Sequence, residues 1–215
     1  MSRFLEYLVI TKDDYFYLSI EKEPFILALN NPELSYHFAL NVKGANIKKH
    51  EKIVINSNDP GINYRFAKNI LGSSALDHGE VIIKYGDPEI NFLYARDIEG
   101  ADILGHGLAI ILSKNLYWNY EYARCIPMAD VLAHGQVIID SGDLGMNYLF
   151  AKNVKGADVL KHGDVILKSE NVKWNYEFAR DVVGADVEAH MNILDGYDDL
   201  IQEINKKLVR KHKVF

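Results

Sequence analysis

Apolar and polar positions along this chain return to the same order every 28 residues. An aromatic stands at Tyr36, Tyr64, Phe92, Tyr120, Tyr148 and Tyr176, and an alanine follows three residues after each, from Ala39 to Ala179. The same register gives His50, His78, His106, His134, His162 and His190. It also gives Gly44, Gly72, Gly100, Gly156 and Gly184, with Met128 the one exception. Six units without an insertion mark a repeat architecture, in which each unit is one supersecondary brick stacked on the next.

Each unit reads as two short helices. The first opens after Asn31, Asp59, Asp87, Asn115, Asp143 or Asn171, side chains that accept from the unpaired amides of a first turn. Proline follows in three units, as Pro32, Pro60 and Pro88, where its missing N–H costs nothing. The helix carries a stripe such as Ile62, Phe66, Ala67 and Ile70, and the glycine column is expected to end it at C′ with positive φ. A second set of caps, Asn46, Ser74, Asp102, Asp130, Asp158 and Asp186, opens the second helix, whose buried side is a branched run such as Val165-Ile166-Leu167. Glycine directly after the histidine at Gly79, Gly107, Gly135 and Gly163 costs about 1 kcal/mol against alanine inside a helix, so it predicts a crossing too close for a side chain.

The predicted fold is therefore all-α: an α-solenoid of six 28-residue helix-turn-helix repeats over 32–196, with no domain boundary inside it. Distinct caps are expected at 1–31, which includes half a repeat, and at 197–215, a capping helix. At the C-terminus, Tyr197 to Lys211 places Leu200, Ile201, Ile204 and Leu208 on one face. At the N-terminus, Phe25-Ile26-Leu27-Ala28 aligns one period before Ile53-Val54-Ile55-Asn56. Two readings stand ahead of it: a helix through Tyr15-Phe16-Tyr17-Leu18, which is favoured, and a hairpin pairing Phe4 to Ile10 with Tyr15 to Ile20.

Charge and composition narrow the function classes. With 24 basic and 30 acidic residues among 215, the net charge of −6 argues against a general polyanion binder. A single cysteine, Cys125, makes neither an internal disulfide nor a cysteine-rich zinc site. The N-terminus lacks the apolar core of a signal peptide, and no stretch approaches the roughly 18 apolar residues of a membrane span, so a soluble, cytoplasmic protein is expected. Gly-rich phosphate loops, His-Glu-x-x-His, Cys-x-x-Cys and Gly-x-Ser-x-Gly are all missing, so the reading is not an enzyme and implies no cofactor.

Three columns carry candidate chemistry. In four units an acid precedes the histidine by four residues, as Asp158 precedes His162, which resembles an oriented general base. An active site needs a unique constellation, however, and six copies fit a hydrogen-bonded ladder better. Metal chelation between layers fails on distance, because stacked helices lie about 8–10 Å apart and a ligand nitrogen must lie about 2.1 Å from its ion. Asn63, Asn91, Asn119, Asn147 and Asn175 read as a second polar ladder. The basic column Lys68, Arg96, Arg124, Lys152 and Arg180, one turn after each aromatic, offers a track for a nucleic-acid backbone. The acids beside it, Asp97 and Asp181, favour a solvated, self-paired face instead.

Binding should lie in columns that vary and face solvent. On the second helix these read Lys49, Lys52, Asn56, then Asp77, Glu80, Lys84, then Gly105, Leu108, Leu112, then Ala133, Gln136, Asp140, then Lys161, Asp164, Lys168. The charge gives way to apolar residues in the middle. A protein partner is therefore expected around Gly105, Leu108, Leu112, Ala133 and Gln136, and nucleic acid along the basic column is the alternative. Leu93, Tyr117, Glu121 and Leu149 form a more scattered candidate on the first helix.

The consensus Asn-Tyr-x-Phe-Ala-[Lys/Arg]-[Asn/Asp]-Val-x-Gly-Ala-Asp, clearest at Asn147 to Asp158 and Asn175 to Asp186, resembles repeats in proteins of large tailed bacteriophages and some bacteria. The resemblance spans about 30–196 and implies a helical scaffold with no assigned reaction. It also implies a phage origin, a host-protein partner and the host cytoplasm as location. Cys125-Ile126-Pro127-Met128 departs from the pattern where the other units have their Gly-Ala turn.

Overall fold

The computed structural model describes residues 19–199 and Gln202. Among these residues it contains thirteen α-helices and no strand: α1 (Glu23–Ala28), α2 (Pro32–Asn41), α3 (Ile47–Asn56), α4 (Pro60–Asn69), α5 (Ala75–Tyr85), α6 (Pro88–Asp97), α7 (Ile103–Ser113), α8 (Leu116–Cys125), α9 (Val131–Ser141), α10 (Leu144–Asn153), α11 (Val159–Lys168), α12 (Val172–Asp181) and α13 (Val187–Asn192). Two compact units divide between Ala109 and Ile110. In the first, α2 pairs with α3 and α4 with α5, while α2, α4 and α6 pack in succession and α3 packs on α5. In the second, the pairs are α8 with α9, α10 with α11 and α12 with α13; α8, α10 and α12 form one layer, and α9 packs on α11. This is the all-helical repeat class that the 28-residue period predicts.

Both sets of caps act as expected. Asn31 accepts from the Leu34 amide, Asp87 from Ile90, Asn115 from Trp118 and Asn171 from Trp174. On the second helices Asn46 accepts from Lys49, Ser74 from Asp77, Asp130 from Ala133 and Asp186 from Ala189. Each such bond contributes about 1 kcal/mol to its helix. The glycine column lies one position later than expected. α2 is already closed by its C-cap Val42, whose N–H donates to Phe38, and Gly44 stands two residues beyond that cap with φ +88°. The Ala45 amide then reaches the Val42 carbonyl at 3.2 Å, so the glycine fills the third position of a β-turn, where a type II turn needs φ > 0. The same turn survives at Met128, with φ +66° and Ala129 donating to Ile126 at 3.2 Å. Pro127 sits at the second position, where its fixed φ favours this turn and offsets part of the strain of a left-handed methionine.

The most buried aromatic is not the one in the column that announced the repeat. Phe38, Phe66, Tyr94, Tyr122, Phe150 and Phe178, two residues later, are fully buried, together with Val54, Ile82, Ile110, Ile138 and Ile166 on the second helices. Each of these rings lies on the histidine of its own repeat, with centroids 4.7 to 5.1 Å apart. The glycines after the histidines make room for this layer. A Cβ on Gly135 would stand 3.1 Å from Phe150 and 3.3 Å from His162 Nε2, and one on Gly163 would stand 3.2 Å from Phe178 and 3.1 Å from His190 Nε2. Those are the close crossings the glycines predict.

The half repeat at Phe25–Ala28 is present as α1, preceded by a 3-10 turn at Ile20–Lys22. The helix and hairpin alternatives for 4–18, and the capping helix from Leu200 onward, lie outside the described residues. No helix among the described residues is long and apolar enough to cross a membrane.

Candidate functional site

The histidine and asparagine columns form one ladder. In the second unit Asn147 Nδ2 donates to the carbonyls of Ile138 (3.0 Å) and Asp143 (2.8 Å), and its Oδ1 meets His162 Nδ1 at 2.7 Å. One side chain thereby ties the end of α9, the cap of α10 and the middle of α11. The arrangement recurs at Asn63–His78, Asn91–His106, Asn119–His134 and Asn175–His190, with Nδ1 to Oδ1 distances of 2.6 to 2.8 Å. Because the amide nitrogen is committed to carbonyls, Oδ1 must accept, so Nδ1 carries the proton and Nε2 is a bare lone pair. At Gly79, Gly135 and Gly163 the glycine hydrogen standing in place of Cβ points at the Nε2 of the next repeat, a weak C–H contact.

Burial of these rings disfavours their charged form. It holds His78, His106, His134 and His162 down at about 4, against an ordinary 6.5, and lowers His50 and His190 in the same direction. All six histidines of the column are 0 or 1% exposed, and five of them are bonded through Nδ1 to an asparagine. The column that resembled a general base holds the layers in register. Among the described residues no group of three or more histidine, cysteine or acidic side chains is placed to hold a metal ion.

The first layer breaks the ladder. Ser35 stands where every later repeat has asparagine, and Ser35 Oγ and His50 Nδ1 are both buried without a hydrogen-bond partner. Glu23, one period before Glu51, places Oε1 3.4 Å from His50 Nε2 on the other side of the ring. Ser35→Asn is therefore expected to stabilise the chain. The new amide would reach His50 and, by the register of the other repeats, the Ile26 carbonyl. A gain of about 1–2 kcal/mol corresponds to a rise of roughly 2–8 °C in the thermal midpoint, measured by circular dichroism. A midpoint that falls would show that this layer has no room for the ladder.

The basic column is engaged on its own surface. Lys68 and Arg96 both bond Asp97, at 2.8 and 2.6 Å, and Tyr64 donates to the same carboxylate at 2.5 Å. In the second unit Arg124 bonds Glu121 at 2.6 Å, while Lys152 and Arg180 share Asp181 at 3.1 and 2.6 Å. Every one of the five cations also lies over an aromatic ring, 5.0 to 5.7 Å from its centroid. These partners hold the Asp97 and Asp181 carboxyls well below the usual carboxylate range. Three carboxylates serving five cations leave a weak anion track, and the geometry favours the self-paired face.

The residues expected to meet a partner divide. Gly105 and Leu108 belong to the first unit, and Leu112, Ala133 and Gln136 to the second. Gly105 and Ala133 are half-buried first-turn positions whose amides donate to the caps Asp102 and Asp130. Gln136 is exposed but bonds Asp140 at 2.7 Å. Leu108 and Leu112 face solvent, at 55% and 71% exposure. Leu112 also edges a groove of about 340 Å³ in the second unit, with Ile111, Leu116 and Val137 as its apolar wall and Lys114 and Asp140 on its rim. A separate exposed column, Leu76, Leu104, Leu132 and Leu160, does not vary over those four repeats, so variation along the sequence does not single it out. Comparison of the chain with protein-family models, with curated proteins and with solved structures finds no match.

Proposed function

We propose that this protein is a non-catalytic binding scaffold that takes an apolar side chain of another protein into the groove beside Leu112. One observation carries the reading. At the register where the other second helices place Asn56, Lys84, Asp140 and Lys168, α7 places a leucine that is 71% exposed and walls an apolar groove with Ile111, Leu116 and Val137. An apolar pocket with a charged rim is the anatomy of a protein-recognition site, and Lys114 and Asp140 supply the rim. Leu108, one turn earlier on α7, extends the same helix's solvent-facing leucines. The histidine, asparagine, tyrosine and basic columns are absorbed by the scaffold, which leaves surface recognition as the work this chain is equipped for. The likeness to phage repeat proteins directs the search for the partner to bacterial host proteins.

The test is capture by the purified chain from a bacterial lysate, compared with Leu108→Asp/Leu112→Asp. Both positions are exposed, so the variant should keep its helical signal and melting temperature, and a partner bound through the groove should be lost. A partner retained equally by the variant removes the proposal.

A further inference from the structure

One register of the repeat is acidic at first and glycine afterwards: Glu23 and Glu51, then Gly79, Gly107, Gly135 and Gly163. In the first unit the acid reaches forward to the next second helix. Glu51, 3% exposed, accepts from the Ser74 amide at 2.5 Å, and the same oxygen lies 3.6 Å from His78 Nε2. Glu23 meets the Asn46 amide and His50 Nε2 in the same way, at 2.5 and 3.4 Å. A carboxylate thereby fills the space between the cap amide of a second helix and the histidine ring that the helix carries.

At Gly135 that carboxylate is gone, and the second unit has there a pocket of about 60 Å³, room for about two waters. Leu132, Gly135 and Gln136 of α9 line it, with Asp158, Lys161 and His162 at the start of α11. The Asp158 amide, at the register of Ser74, has no acceptor among the described residues. His162, 1% exposed, bonds Asn147 through Nδ1 and directs Nε2 toward Gly135, where a Cβ would stand 3.3 Å away. That buried lone pair meets nothing stronger than the glycine C–H. The pocket therefore presents one N–H donor and one acceptor beside the apolar Leu132.

We propose that this pocket binds a primary carboxamide, the group carried by a glutamine or asparagine side chain and by free small amides. Its carbonyl accepts from the Asp158 amide and its N–H donates to His162 Nε2, so both groups are satisfied and no proton moves. A carboxylate is disfavoured by charge, because it would lie against the ring's lone pair and beside the Asp158 carboxylate. Lys161 is already engaged with Asp158 at 3.0 Å, and Lys48, which holds the other oxygen of Glu51 at 2.7 Å, is replaced at this register by Leu132. The caps follow the same rule. Where glutamate fills the space the cap is neutral, Asn46 or Ser74, and where glycine leaves it open the cap is Asp102, Asp130, Asp158 or Asp186. The pocket shares no residue with the groove beside Leu112 and does not depend on it.

Propionamide, titrated into the full chain at pH 7 and followed by the ring-nitrogen resonances of His162, tests the proposal. The Nε2 signal should move and saturate, with a dissociation constant on the order of millimolar for so small a ligand. Propionate, which brings a charge, and N,N-dimethylpropionamide, which has no N–H, should leave the signal in place. Gly135→Gln should supply the carboxamide from within, as Glu51 supplies a carboxylate at this register, and abolish the response to added amide with the helical signal kept. The comparison of the three small molecules on the unaltered chain holds whether or not that variant folds. A glutamine tripeptide that binds about 10-fold tighter than propionamide assigns the site to a partner's side chain, with Leu132 as the added contact, and equal affinity assigns it to a free amide. A His162 signal that propionamide does not move, or that propionate or the dimethyl amide moves as far, overturns the proposal. So does an undiminished response in a folded Gly135→Gln chain.

Discussion

Acidified from neutrality to about pH 4, this protein is expected to lose its helices in one steep transition. The cause is the buried histidine column. His78, His106, His134 and His162 are held at about 4 in the folded chain by burial, against 6.5 when free. Below pH 6.5 the unfolded chain takes up protons that the folded chain refuses. The stabilisation is therefore complete above 6.5 and disappears as the pH falls toward 4. Two and a half decades of proton affinity correspond to about 3 kcal/mol for each ring, so four rings amount to roughly 12 kcal/mol. That equals the whole net stability of an ordinary domain, about 5–15 kcal/mol. His50 and His190 act in the same direction. Near pH 5 these four rings together take up between three and four protons on unfolding, and stability should fall by about 5 kcal/mol per pH unit. Asp97 and Asp181, held low by their cations, are lost only at more acid pH and do not contribute in this window. Circular dichroism at 222 nm and thermal midpoints across pH 7 to 4 give the result. A midpoint that is flat over that range would mean the rings are hydrated or charged in the native state.

Much of this was legible in the sequence because the repeat prints each structural need six times. The caps at Asn115 and Asp130 and the glycines under the rings are each one residue type with one physical reason, and the structure finds them in those roles, while the turn glycines keep their positive φ one position beyond the expected one. Two things were not legible. Tyr64 and Phe66 belong to equally aromatic columns, and nothing local says which faces the histidine; only the three-dimensional crossing puts Phe66 over His78 and turns the Tyr64 hydroxyl to Asp97. The second was hidden by a sound rule. A constant column predicts burial and a varying one surface, and that holds for His134, at 0% exposure, but fails for Leu132, at 62%. Leu132 lies two residues before that histidine, in the first turn after the cap, and so on a different side of the helix. Of the five varying residues expected to meet a partner, Leu108, Leu112 and Gln136 face solvent, whereas Gly105 and Ala133 serve the caps.

Asn147→Leu should cost about 3 kcal/mol, a fall of roughly 6–12 °C in the thermal midpoint for a chain of this length. The shape of the side chain is nearly kept, so the loss is one of hydrogen bonding rather than of volume. Both carbonyls that Asn147 serves have a second donor: Asp143 accepts from the Asn147 amide at 3.0 Å, and Ile138 from Ser141 Oγ at 2.7 Å. The penalty therefore concentrates on His162, whose Nδ1–H is buried and would have no acceptor. His162→Leu should be similarly harmful, since it orphans the Asn147 oxygen. Combining the two removes both ends of the bond, and a buried pair replaced by apolar groups costs less than the sum of its halves. The double variant is expected to fall short of additivity by at least about 1 kcal/mol in denaturant titrations at pH 7. It should also show an acid transition shallower by about 1.4 kcal/mol per pH unit, because one proton fewer is taken up on unfolding. Strictly additive losses, or an acid transition as steep as before, would mean that the asparagine and histidine columns stabilise the stack separately and that no ladder joins them.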